Sequence, residues 1–217
     1  YPLLGRKLIA DVTVLDVERY KRQRLGAPYQ PNPKAPAKAT TAATVNREVA
    51  LIKAMLAKAV RWGLLAPRGP NPSHPLHDVA LLAEDNARSP ELSAEAEARL
   101  LAECNPRLRA IVTFLLHSAR RVGEALELRW GAVDLRGGNM AVELFKKRVR
   151  RTEVFALNAT ARAALAAVQP PGDGDPDPAA LVFCTSSGLP YANIRRDFRI
   201  AARRAGLPTL RIHDLRH

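Results

Sequence analysis

The sequence predicts a two-domain protein, mainly α with a small β-sheet in the second domain. Apolar residues recur at three- and four-residue intervals from Val45 to Val60, the interval falls to two around Met140, and five prolines punctuate Pro67 to Pro90. A length of 217 residues suffices for two small domains with real cores. The proline cluster places them at 1–88, including a linker, and 89–217.

Each element has a local cause. Thr13 caps a helix running to Gly26, with Asp16 where a capping box wants an acid. Gly26 to Ala39 is polar, contains prolines and reads as a mobile loop. A second helix spans Thr44 to Trp62 and stops at Gly63, with Val45, Val49, Ile52, Leu56, Ala59 and Val60 forming its apolar stripe. Pro67 to Pro90 disfavours continuous helix and marks the domain boundary. Ser93 then caps a helix to about Glu103, with Glu95 and Glu97 in its first turn, and Asn105 with Pro106 opens another. Met140, Val142 and Leu144 alternate with Ala141 and Glu143 up to Lys146, and Val149 to Leu157 repeats the pattern, which predicts a hairpin with a basic turn. Asn158 caps an alanine-rich helix to about Val168, and Pro170 to Pro178 is a loop. Leu181-Val182-Phe183 is either a short strand or a buried turn. Pro190 to Ala205 reads as a strongly basic helix ended by Gly206 and Pro208.

The charge balance points to a polyanion. Lys and Arg total 34 against 21 Asp and Glu, a formal net charge of +13 with a sequence pI near 10.5. Nucleic acid is the commonest such partner, because neutralising its phosphates releases condensed counterions. An acidic membrane surface is the rival, but no apolar run reaches ~18 residues and no long basic segment carries a large aromatic face. The charged start Tyr1-Pro2-Leu3-Leu4-Gly5-Arg6 is unlike a signal peptide, so a cytoplasmic setting is expected; the missing initiator Met suggests a fragment or a trimmed start. Cys104 and Cys184 have no partner at metal-ligand spacing, and both are expected to be buried or idle.

Two distant segments together describe a pocket for a phosphodiester: Ala119-Arg120-Arg121-Val122-Gly123-Glu124, leading to Leu128-Arg129-Trp130, and His213-Asp214-Leu215-Arg216-His217. Arginines from separate segments can hold both non-bridging oxygens of one phosphate, and a histidine three residues from one of them can move a proton near neutral pH. His213 and His217 at i and i+4 also invite a metal reading, which fares badly. Asp214 replaces the glutamate of His-Glu-x-x-His, no third ligand follows and Arg216 would sit beside the cation, so no metal is expected. His74, His77 and His117 show no clear partners in the sequence.

On these two motifs the chain resembles the tyrosine recombinases, the phage integrase family. The Arg-x-x-Glu spacing places the family's first catalytic arginine at Arg121, with Glu124 one helical turn away, while Arg120 takes a position that is usually hydrophobic. His-x-x-Arg matches His213 and Arg216. The resemblance also implies a lysine in the hairpin turn, for which Lys146 and Lys147 compete; strand parity favours Lys146, and both as ordinary solvated turn lysines is the alternative. The fold it implies is a SAM-like helical core-binding domain followed by a DNA breaking-rejoining catalytic domain.

The resemblance further implies that a tyrosine hydroxyl attacks the scissile phosphorus, expels a 5′-hydroxyl and leaves a 3′-phosphotyrosyl link, with neither ATP nor metal and no cofactor. Arg121 and Arg216 would stabilise the phosphorane, Lys146 would protonate the leaving oxygen, and His213 would help take the nucleophile's proton. Tyr1, Tyr20, Tyr29 and Tyr191 all precede His213, so the nucleophile is expected downstream of this fragment. Candidate DNA contacts are Lys53, Lys58 and Arg61, the turn residues Lys147 and Arg148, and Arg195 and Arg199, touching mostly phosphates. The expected partner is a double-stranded recombination site bound by a homotetramer of the full-length protein. A bacterial or phage-encoded, nucleoid-associated recombinase is thereby implied, with a type IB topoisomerase as the enzymatic rival. From another class, a truncated non-catalytic DNA-binding regulator of recombination is the alternative.

Overall fold

The computed structural model describes residues 4–30, 36–67, 73–85, 92–146, 149–172, 174–191 and 193–216, with the backbone alone at 144–146, 149 and 150. The chain divides into two compact units, Tyr1–Ala87 and Arg88–His217.

The first unit is built on α1 (Val14–Arg24) and α2 (Ala42–Arg61). Thr13 and Asp16 form the expected capping box: the Thr13 N–H donates to the Asp16 carboxylate at 2.9 Å, and the Asp16 N–H to Thr13 Oγ1 at 3.3 Å. Hydrogen bonds from Lys7 and Thr13 hold the Asp16 carboxyl far below its ordinary range. The chain leaves α1 through Gly26, at a φ of 76° that costs glycine little. The Gly26 to Ala39 stretch, expected to be a loop, is pinned at its ends by a two-residue antiparallel pair, β1 (Pro28–Tyr29) with β2 (Lys38–Ala39). Strands this short carry no readable alternation. Thr41 caps α2, which starts two residues before the expected Thr44. Tyr20 donates to Glu48 at 2.7 Å and Arg24 pairs with it at 3.0 Å, joining the helices over a core that includes Val17, Val45, Val49 and Leu56.

Residues 73–85 fell within the expected linker, yet they pack into the first unit. Leu76 and Val79 are buried in its core. The Asn46 side chain pairs with both polar groups of Leu82, donating to the carbonyl at 2.9 Å and accepting from the N–H at 2.8 Å. Lys53 donates to the carbonyls of His77 at 2.8 Å and Val79 at 3.0 Å. Prolines rule out helix here without ruling out docking, and these polar groups satisfy backbone that helix would otherwise pair.

The second unit is organised around α4 (Pro106–Ser118). Ser93 caps α3 (Ala94–Ala102), and Asn105 caps α4 with Pro106 in the first turn. Leu108, Ala110, Ile111, Val112, Phe114 and Leu115 are all buried, so apolar residues cover most of the helix surface. Against α4 pack α5 (Val122–Leu126), α6 (Ala159–Ala166), capped by Asn158, and a terminal 3-10 helix (Ile212–Arg216). The expected hairpin is β4 (Asn139–Lys146) with β5 (Val149–Ala156), and β3 (Val133–Asp134) adds a third antiparallel strand too short to foresee. Leu181 forms one isolated bridge with Arg129, while Val182 and Phe183 are buried and the Phe183 ring lies 5.4 Å from Phe114.

The basic helix α7 (Arg195–Arg204) starts later than the expected Pro190. Pro190 is bridged to Cys184, and Asn193 Oδ1 accepts the Arg195 N–H at 2.8 Å, a local turn that competes with an earlier helix start. Phe198, Ala201 and Ala202 bury one face of α7 and leave its arginines exposed. Among the described residues no helix is long and apolar enough to cross a membrane.

Candidate functional site

The first motif lies where α4 ends. Ala119 closes that helix in the left-handed conformation, at a φ of 51° that L-residues with a Cβ rarely adopt, and so turns the chain sharply before the two arginines. Arg121 opens α5, and Glu124 accepts twice from it, from the backbone N–H at 3.0 Å and from the guanidinium at 2.8 Å. Partial burial pushes the Glu124 carboxyl up. The two hydrogen bonds from Arg121, with the charges of Arg121 and Arg120, outweigh it and hold the carboxyl below its ordinary value. One edge of the Arg121 guanidinium is thus held by an ionised carboxylate, while its side chain remains 62% exposed.

Arg120 has a different environment. Its guanidinium lies 3.9 Å from the centre of the Phe155 ring on β5 and donates to the Ser118 carbonyl at 3.4 Å. The usually hydrophobic position is therefore filled by a cation placed over an aromatic ring. Sequence reasoning missed this contact, because its partner is on a distant strand.

The second motif sits on the terminal 3-10 helix, which is anchored by buried Leu215 and packs on α4 and α7. Asp214 accepts the Arg211 N–H at 2.9 Å, a structural role, and His213 and Arg216 are exposed. Both motifs are thus carried by segments resting on α4. Lys146 ends β4 with its backbone opposite Val149; its side chain, and Lys147, Arg148 and His217 altogether, lie outside the described residues.

Of the other candidates, the structure brings His213 together with Arg195 and Arg199. They line one pocket between α7 and the terminal segment, along with Phe198, Leu210 and Arg211. Arg211 was not foreseen, although its place two residues before His213 was a usable signal. Lys58 is exposed with its ammonium 5.9 Å from the Trp62 ring centre, and Arg61 is exposed. Lys53 instead serves the two carbonyls described above.

The remaining histidines have partners the sequence hid. His74 Nδ1 accepts the Leu76 N–H at 3.2 Å, His77 lies 2.9 Å from Asp78, and His117 meets Glu97 at 3.2 Å. Burial, helped by the charges of Lys53 and His77, lowers the His74 pKa. Burial pushes the Cys104 thiol up to about 11, which keeps it unreactive. Among the described residues no cluster of three or more His, Cys, Asp or Glu has metal-binding geometry.

Comparison with known proteins agrees with the motifs. The chain is 30% identical over 222 aligned residues to the shufflon-specific DNA recombinase of Escherichia coli, covering all of this chain and 52% of the relative. It therefore spans about half the length of that curated relative. A lambda integrase dimer bound to a COC′ core site superposes with a TM-score of 0.69 at 17% identity, over 99% of this chain and 72% of that one. The Tn1549 transposon integrase in complex with circular intermediate DNA gives 0.66 at 18% identity, over 99% and 73%. Both show the same fold. Residues 90–217 match the phage integrase family, and with both motifs falling inside that stretch, the chain belongs to this family.

Proposed function

We propose that this chain is the DNA-binding and catalytic part of a site-specific recombinase, which cleaves and rejoins duplex DNA through a 3′-phosphotyrosyl intermediate. In this reading the nucleophilic tyrosine comes from chain beyond His217. The observation that carries the proposal is the Arg121 guanidinium, held at 2.8 Å by Glu124 yet largely exposed. An arginine fixed along one edge retains donors on the other for a phosphate oxygen, at little orientational cost when charge builds on the phosphorane. Family membership and the partner named for each relative support duplex DNA as the substrate.

Arg121 and Arg216 stabilise the equatorial oxygens, each accounting for about 3 kcal/mol of barrier by analogy with oxyanion donors. Lys146 protonates the leaving 5′-oxygen, and His213 shares the nucleophile's proton and bonds a phosphate oxygen. The exposed Lys58 and Arg61 of the first unit, and Arg195 and Arg199 of the second, hold backbone phosphates without reading sequence. Lys147 and Arg148 join them from the hairpin turn, and a homotetramer assembles on paired recombination sites.

A nicked suicide duplex, which traps covalent adducts, tests this. The 217-residue chain binds DNA and forms no adduct, whereas a version extended through the downstream coding sequence to a tyrosine forms one. Arg121→Ala in the extended protein removes the adduct and leaves DNA binding largely intact. Unchanged adduct formation in that variant removes the Arg121 assignment. An adduct on the 217-residue chain itself refutes the downstream nucleophile.

A further inference from the structure

We propose that Arg195, Arg199 and Arg211 together form a pocket for one DNA backbone phosphate, beside the phosphate undergoing chemistry and separate from it. This rests on the DNA reading above and extends it. The three side chains come from two elements, α7 and the segment entering the terminal 3-10 helix, and line a single concave pocket. Arg195 and Arg199 stand one helical turn apart on the same face of α7.

Three features select the ligand. Among the described residues, none of the three guanidiniums lies in an ion pair with a carboxylate. Asp214, three residues from Arg211, accepts from the Arg211 backbone N–H, and Asp197, between Arg195 and Arg199, is not among the lining residues. Three like charges around one concavity repel one another, and an anion placed among them relieves that repulsion while gaining charge-assisted hydrogen bonds. Buried Phe198 and half-buried Leu210 and Ile212 contribute an apolar wall, which strengthens those interactions relative to open water.

The shape of the pocket accommodates a phosphate that is part of a chain. The pocket is an open groove of about 640 Å³, long enough to admit a phosphodiester together with its flanking sugars. His213 lies on the same lining, so a phosphate held here sits next to the one that His213 serves.

The test is the salt dependence of duplex binding by the 217-residue chain, using a short duplex of arbitrary sequence. Each neutralised phosphate contributes about 0.9 to the slope of log K against log salt. The triple variant Arg195→Ala/Arg199→Ala/Arg211→Ala should bind about tenfold to a hundredfold more weakly. Its slope should fall by about 0.9, one phosphate's worth, and no single or double variant should exceed that loss. A triple Arg→Lys variant keeps the charge and should keep the slope. Losses that grow to about 2.7 in the triple alanine variant would assign the arginines to separate phosphates and overturn the pocket. An unchanged slope overturns it as well. Saturation of Arg195, Arg199 and Arg211 resonances by micromolar inorganic phosphate would instead assign a small phosphorylated ligand. If the unmodified chain binds duplex without salt dependence, the DNA reading itself fails, and that outcome is distinct from all of these.

Discussion

Replacing Asn46 by alanine should loosen the first unit and leave the second intact. The buried Asn46 side chain imitates a strand partner, its amide donating to the Leu82 carbonyl at 2.9 Å and accepting the Leu82 N–H at 2.8 Å. Each such bond contributes about 1 kcal/mol net, and alanine also strands two backbone groups, so the expected loss is about 2 kcal/mol. For a unit of this size that is on the order of 10 °C in melting temperature. Native-state hydrogen exchange on the whole chain is the assay. Amides of α2 should lose about 30-fold in protection, since 1.4 kcal/mol is a factor of ten, while amides of α4 and α6 keep theirs. Asn46→Asp should be no better at pH 7: it can still accept the Leu82 N–H, but it loses both donor bonds and sets a carboxylate beside Glu84. A loss under about 0.5 kcal/mol, or equal loosening of α4, would refute the claim that residues 73–85 are held by this amide.

Ala119→Gly should stabilise the second unit by about 0.5 to 1 kcal/mol in denaturant titration, because glycine accepts the left-handed turn that alanine adopts under strain. A double-mutant cycle of Arg120→Met with Phe155→Leu should give a coupling of about 1 kcal/mol, and additive effects would show that the ring contact contributes nothing. Acidification should destabilise the first unit through His74. Its folded pKa lies below the ordinary 6.5, so the unfolded chain takes up the proton first and stability falls as pH drops below about 6.5. The loss should be visible before the carboxylates with lowered pKa values, such as Glu48, begin to contribute near 4.5, and His74→Gln should flatten it.

Four helix starts were legible because their cause was local. Thr13, Ser93, Asn105 and Asn158 each accept a backbone N–H three residues on, so the short sequence contains the whole interaction. The start of α7 was misread because the helical pattern continues through Pro190 to Asn193, while a bridge to Cys184 and the Asn193 turn decide the outcome. Docking of 73–85 was invisible for a similar reason, since the Asn46 and Lys53 bonds join groups far apart in the chain. In the candidate site, the pairing of Arg121 with Glu124 was readable because the two stand three residues apart. Arg120 and Arg211 were not, because a ring on β5 and a wall on α7 define what they face.

The ladder between β4 and β5 pairs eight residues on each strand, from Asn139 opposite Ala156 to Lys146 opposite Val149. Side chains alternate between faces along it, so sliding one strand by a single step would carry buried Met140 out into water. The hydrophobic cost at that end therefore indexes the opposite end, and the hairpin works as a ruler whose zero mark is Met140. A deletion of one residue anywhere between Met140 and Lys146 would leave the amino acids present and the graduation wrong.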